Sequence, residues 1–426
     1  MTAGATTRGA RAFVAVGVGW FVCWNLAVLA GVSRPATVVL GLYGFVFSVI
    51  FGKAYALVPS YFDRQLAAPS APLVHLPLAV LGVLGLVAAR VHPTDPLGGA
   101  VETVGLTGSQ WLAIGAVAWF TGVCVFVGTL AWTVRDNLSG AETGTAGPNR
   151  HREPVDRAAN AVVPVVGLYL LWGSFVPVLD ALTDVRGTIS IPRVELGSLS
   201  VESTTLVLVP AGAAGSHVLA AGTATLLLFG IGFRLLPRFL VGTPRLALVV
   251  IALSAGAVAP ALLVADFQGG AIFAVGATLL AVAIVAYGLT VVELVLASER
   301  DRVGHRAIAV GGAFGIVAVG IGWAMGLGHV DLGLADAHYR LAIGGFLGLT
   351  IVGVTYQFYP PAIGETVGVG NRSAGAGALA LAAGFVVEAA GTWLTDADVE
   401  RLGAVIVLIG SIGYAWILLS IFVERR

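Results

Sequence analysis

Twelve uninterrupted apolar runs, from Ala12–Val32 to Leu402–Val423, dominate this chain. Each has about the twenty residues a helix needs to cross the hydrocarbon core of a bilayer. None alternates in the manner of a barrel strand. With 58% hydrophobic and 11% charged residues over 426 positions, a water-soluble globular domain is excluded. The expected fold is all-α: an integral membrane protein of twelve transmembrane helices, forming a single polytopic domain over residues 1–426 with the lipid bilayer around it. The first run follows Arg8 and Arg11, as a signal peptide would. It is long, lacks a small-x-small cleavage site and completes the set, so it reads as the first span.

Charge placement orients the spans. With the amino terminus in the cytoplasm, the segments on that side carry 17 of the 23 lysines and arginines and the outer ones carry 6. This positive-inside bias predicts a multi-pass protein of the cell membrane with both termini cytoplasmic. Lys53, the only lysine, and Arg234 lie near span ends, where snorkelling explains them. Cys23 and Cys124 lack paired spacing and read as core packing. No phosphate loop, nucleophilic triad, zinc signature or nucleic-acid patch occurs. The stretch from Thr183 to Ala214 contains alternating segments, Thr188-ISIPRVEL and Thr204-LVLVP, that predict a small hairpin.

Three spans share an ending. Aligned on Pro59, Pro237 and Pro360, the glycines Gly52, Gly230 and Gly353 coincide, as do Tyr55, Phe233 and Tyr356. Two of the three carry a histidine near their other end, His217 and His338, about 30 Å away at the rise of a helix. Because the phrase falls on the second, sixth and tenth spans, the natural unit is four helices used three times. The pseudo-repeats cover about 1–134, 159–297 and 306–424, separated by cytoplasmic loops 135–158 and 298–306. Histidine placed deep in apolar surroundings points to a metal or haem site.

Three arcs of four helices with histidines on helices six and ten resemble the catalytic subunit I of haem-copper oxygen and nitric-oxide reductases. The stretch Asp336-AHYRLAIGGFLGLTIVGVTYQFYP matches that family's tenth helix without a gap at His338, Gly353, Tyr356 and Pro360. The resemblance implies that His338 is the proximal ligand of a b-type haem, with His217 a distal ligand or former copper ligand. It also places low-spin haem ligands at positions held here by Thr37, after Arg34-Pro35, and by Arg340. Arginine stays protonated and cannot act as a neutral imidazole does. No histidine lies between His217 and His305, so the family's histidine pair on helix seven is missing and copper is not expected. Arg340 and Arg401 are candidate partners of haem propionates. Arg340 also lies one turn from Asp336, at ion-pair spacing. The NnrS-type haem- and copper-containing proteins of nitric-oxide metabolism are the nearer alternative, although their His-x-His-Glu signature is not reproduced.

Other groups weigh less. His329, Asp331 and Asp336 cluster before the tenth span and form a weak cation site, with solvated loop residues as the plainer reading. Glu388 lies inside its span and requires a partner or a proton, the protonated or capped form being the plainer. His75, His92, His151 and His305 have no partner at ligand spacing. The expected function is that of a degenerate subunit I-like protein that binds one haem and handles nitric oxide, oxygen or a redox ligand, short of complete oxygen reduction. If it is an enzyme, it is a haem-dependent oxidoreductase. A cofactor-free scaffold or assembly partner is the alternative from a different class, and a small-molecule transporter is a third.

Overall fold

The computed structural model describes residues 2–182, 188–191, 194–196, 199–201, 204–207, 210, 212–267 and 269–425. Among these residues, twelve helices are long and apolar enough to cross a membrane. They are α1 (Thr6–Leu29), α2 (Arg34–Tyr61), α3 (Ala71–Ala88), α4 (Gly108–Val134), α5 (Gly147–Leu182) and α6 (Gly212–Phe239). The second half holds α7 (Leu246–Ala265), α8 (Ala271–Leu296), α9 (Val303–Gly326), α10 (Leu332–Ile363), α11 (Asn371–Leu394) and α12 (Ala397–Glu424). The α5 element begins earlier than its apolar run. Its first part, Glu153–Ala161, is helical because Pro154 sits in the first turn and Glu153 and Asp156 complement the helix N-terminus.

The three helices that share an ending form the core. The central windows of α2, α6 and α10 are 83%, 83% and 78% buried, against 33–50% for the other nine, so these three have almost no lipid-facing side. They touch one another, and the rest surround them in the order α1, α3, α4, α5, α7, α8, α9, α11, α12 and back to α1. The repeated glycine explains part of this arrangement. A Cβ on Gly52 would lie 2.7 Å from the Ala10 carbonyl oxygen of α1, one on Gly353 would lie 2.5 Å from that of Gly304 on α9, and one on Gly230 would lie 3.2 Å from that of Ala159 on α5. Each central helix is therefore seated backbone to backbone on the helix that precedes it.

All three central helices also widen into a π-helix, over Val39–Phe47, Val218–Thr225 and Leu341–Gly348. Phe47, Thr225 and Gly348 each lie twelve residues before the closing proline, so the widening occupies the same register in every copy. Helix propensity does not foretell this shared irregularity, and π-helical segments concentrate at functional sites.

Between α5 and α6 the predicted hairpin is present as two nested antiparallel pairs. Strand β1 (Thr188–Ile191) pairs with β4 (Thr204–Val207), and β2 (Val194–Leu196) pairs with β3 (Leu199–Val201). Arg186 and Arg193, counted above on the outer side, lie outside the described residues. Cys23 and Cys124 differ from expectation: both thiols are free and on the exposed face of the bundle. Arg234 differs as well. It is buried and donates to the Tyr61 and Thr143 carbonyls and to Asn160 Oδ1, while Asp156 pairs with Arg238 at 2.6 Å. Together they bind the segment between α4 and α5 to the proline end of α6. A buried guanidinium is kept there by hydrogen bonds that water would otherwise supply.

Candidate functional site

His217 and His338 meet. Their ring centroids are 6.0 Å apart and their planes differ by 9°. The Nδ1 of His217 lies 2.7 Å from the Ala213 carbonyl oxygen and that of His338 lies 2.8 Å from the Ala318 carbonyl oxygen. A carbonyl only accepts, so each Nδ1 carries the proton and each neutral ring keeps its lone pair on Nε2. This is the orientation in which a second group fixes a ligating imidazole. The α9 helix makes room for it: a Cβ on Gly322 would lie 2.6 Å from His338 Cε1. The Phe267 ring stands 5.0 Å from His217 on another side.

Both rings line a cavity of about 470 Å³ at the histidine end of the central helices. Its wall is mostly apolar and includes Tyr43 of α2 and Tyr339 of α10, with Arg34, Arg90 and Asp180 among its charged groups. Arg34 pairs with Asp336 at 3.2 Å, and Arg90 donates to the Leu86 carbonyl. Asp95 latches the two loops that carry these arginines. Its carboxylate accepts from the backbone N–H of His92 at 2.9 Å and of Ser33 at 3.3 Å, while Ser33 Oγ donates to the Arg90 carbonyl. The His92 bond, assisted by Ser33, holds the Asp95 carboxyl below the usual carboxylate range.

Arg340 is not part of this cavity. It is 5% exposed and forms a two-pronged ion pair with Glu388 of α11, Nε to Oε2 at 3.0 Å and Nη2 to Oε1 at 2.9 Å. Nη2 also donates to Asn25 Oδ1, and the guanidinium lies 4.4 Å from the centre of the Trp24 ring. Trp24 Nε1 in turn donates to the Tyr339 hydroxyl at 2.7 Å, which links this network to the cavity wall. The expected pairing of Arg340 with Asp336 is therefore replaced on both sides, and Glu388 finds its partner in Arg340. Thr37 is buried and donates to the Arg34 carbonyl. Arg401 is exposed on α12 and does not line the cavity.

The three weak cation candidates do not converge. Asp331 caps the short turn at Leu332–Leu334, Asp336 holds Arg34, and the exposed ring of His329 lies against Trp323. Among the described residues no three His, Cys, Asp or Glu side chains gather as a metal site. Sequence reasoning missed Arg34 and Arg90 as the cavity's cations, and the burial of His75, whose Nδ1 meets the Tyr55 hydroxyl at 3.2 Å. The signal for Arg340 and Glu388 was there: two opposite charges inside apolar spans need each other.

Fold and site define a multi-pass membrane protein whose three central helices carry a paired-histidine cavity at one end. No protein-family model matches the chain, and no curated protein matches it.

Proposed function

We propose that this chain is a degenerate relative of haem-copper oxidase subunit I that holds one b-type haem at His338 and His217 and handles a diatomic gas or a redox ligand. The observation that carries the reading is the histidine pair, with both Nδ1 atoms held by carbonyls and the ring centres 6.0 Å apart. Two imidazoles that share one metal ion through bonds of about 2.0–2.1 Å have ring centres about 6 Å apart. The pair therefore suits one metal, in keeping with the missing histidines of the seventh span.

The cavity is of a size that takes a cofactor. Arg34 and Arg90 are the cations on its wall, and they take the propionate role in place of Arg340 and Arg401. Bound there, a haem would supply a one-electron couple if both imidazoles ligate the iron, and a gas-binding position if His338 alone does. His338 and His217 hold it, Gly322 leaves space for the ring of His338, and the apolar wall keeps out water. The family's second haem has no counterpart, because Thr37 and the Arg340–Glu388 pair stand at its ligand positions. In this reading the proline ends of the central helices and both termini face the cytoplasm of the cell, and the twelve helices form three arcs of four.

Absorption spectra of the detergent-purified full chain from a haem-sufficient host test the proposal. The expected result is a Soret band that His338→Ala abolishes and His217→Ala shifts. A folded, haem-free protein would overturn it and leave the second reading, a cofactor-free scaffold. The ion pair favours that alternative, since it occupies a cofactor position with side chains.

A further inference from the structure

A second cavity, of about 80 Å³, lies between the three central helices themselves. Val46 and Val49 of α2, Ala224 and Leu227 of α6, and Leu347 and Val354 of α10 line it. All three copies of the repeat thus contribute aliphatic side chains to one space on the axis of the bundle. Leu347 follows Tyr339 of the histidine cavity by eight residues, which sets the two spaces roughly 12 Å apart along α10.

The few polar groups on this wall are turned away from it. Thr350 donates to the Phe346 carbonyl and Thr355 to that of Val352, each within its own helix. The Lys53 ammonium sits 4.1 Å from the centres of both the Phe358 and Tyr359 rings. That leaves Tyr287 as the one lining hydroxyl without a hydrogen-bond partner. A buried water needs two to four polar partners, and apolar cavities that lack them stay dry and take up xenon or benzene. Its volume is about half that of an engineered cavity of about 150 Å³ that holds benzene. It has room for two or three molecules of water's size, near 30 Å³ each.

We infer that this axial cavity is a docking site for small apolar gas molecules, of the class of dioxygen, nitric oxide and xenon. Such molecules dissolve in the lipid that surrounds the bundle, and the cavity offers them a fixed stop between the widened segments and Lys53. The inference does not rest on the haem proposal: it concerns a different space and holds whether or not the histidines carry a metal.

Crystals of the full-length chain pressurised with xenon test it, haem-loaded or haem-free. The expected result is one xenon site bounded by Val46, Leu227 and Leu347, with occupancy reduced at least fivefold in Ala224→Leu. Should that variant fail to fold, Val354→Leu fills the same space from another helix and is expected to reduce occupancy in the same way. Absence of xenon from the native cavity would overturn the inference. So would ordered water bridging Tyr287 and Lys53, or undiminished xenon in a folded filling variant.

Discussion

Replacing Glu388 should reveal how much of the bundle depends on one buried ion pair. Arg340 and Glu388 are 6% and 5% exposed in their side chains, so neither charge is screened by solvent. Glu388→Ala removes both oxygens that accept from Nε and Nη2 and leaves a guanidinium among Trp24, Phe385 and Asn25 Oδ1. Stranding one partner of a buried pair costs about 3–5 kcal/mol. The double replacement Arg340→Met with Glu388→Leu removes both charges and should cost much less, since apolar substitutes for buried pairs are often neutral. Asp336→Asn is the control. Its pair with Arg34 is half exposed on each side, and such surface pairs contribute about 0–1 kcal/mol. Equilibrium unfolding of the purified protein in mixed micelles of increasing SDS fraction measures all three variants. If Asp336→Asn destabilises as much as Glu388→Ala, or the double variant is as unstable as the single one, the assignment of Arg340 to Glu388 as its energetic partner is refuted.

Three further outcomes follow from the same geometry. Gly322→Ala places a methyl group 2.6 Å from His338 Cε1, so the imidazole must move; on the proposed haem reading, a loss of about 10-fold in haem affinity is expected with helix content unchanged, read by haem titration and circular dichroism. Gly353→Ala meets the Gly304 carbonyl oxygen at 2.5 Å and should destabilise by about 1–3 kcal/mol, whereas Gly320→Ala, with no atom within 4 Å, should be neutral or stabilising in the same unfolding assay. Asp95 has a depressed carboxyl, so its latch is fully present above the unfolded value of about 3.9 and is lost as pH falls through the lower folded value; thermal melts should show Asp95→Asn less stable than the native chain at neutral pH and converging with it in acid.

Span count, the thrice-used helix and the two histidines at its other end were legible in the chain, each for a physical reason. Hydrocarbon thickness imposes run length, and close backbone approach imposes glycine at fixed register, so Gly52, Gly230 and Gly353 coincide in the three copies; that these copies are the most enclosed helices emerges only in the packed bundle. What escaped were choices between partners distant in sequence. Asp336 stands at ion-pair spacing from Arg340, but Arg34 arrives from α2 to take it and Glu388 arrives from α11 to take Arg340. Lys53 at a span end suggested an escape toward water, yet two aromatic faces hold it within the bundle. The shared π-helical register has no compositional sign, because it reflects how three enclosed helices pack and not what any one of them prefers.

The two ends of the repeated helix are under different kinds of constraint, and this accounts for their unequal likeness. At the proline end each copy abuts a neighbouring backbone, and a carbonyl oxygen at 2.5–3.2 Å from an added methyl group leaves little latitude for any residue but glycine. At the other end the side chains face a cavity or one another, where many solutions satisfy buried polar groups. The first and third copies have adopted different ones: Thr37 turns back on its own helix, while Arg340 recruits a carboxylate from α11. The second and third copies retain imidazoles whose Nδ1 atoms are already committed, leaving a lone pair on each Nε2 that can accept from a donor or bind a metal. The arrangement at this end is therefore asymmetric in a particular sense: an ion-paired network takes up one side of the bundle and a pair of cavity-lining imidazoles the other. Tyr339 stands between them, in the cavity wall and bonded to the Trp24 that stacks on Arg340, so the ion-paired network holds the wall of the cavity in place.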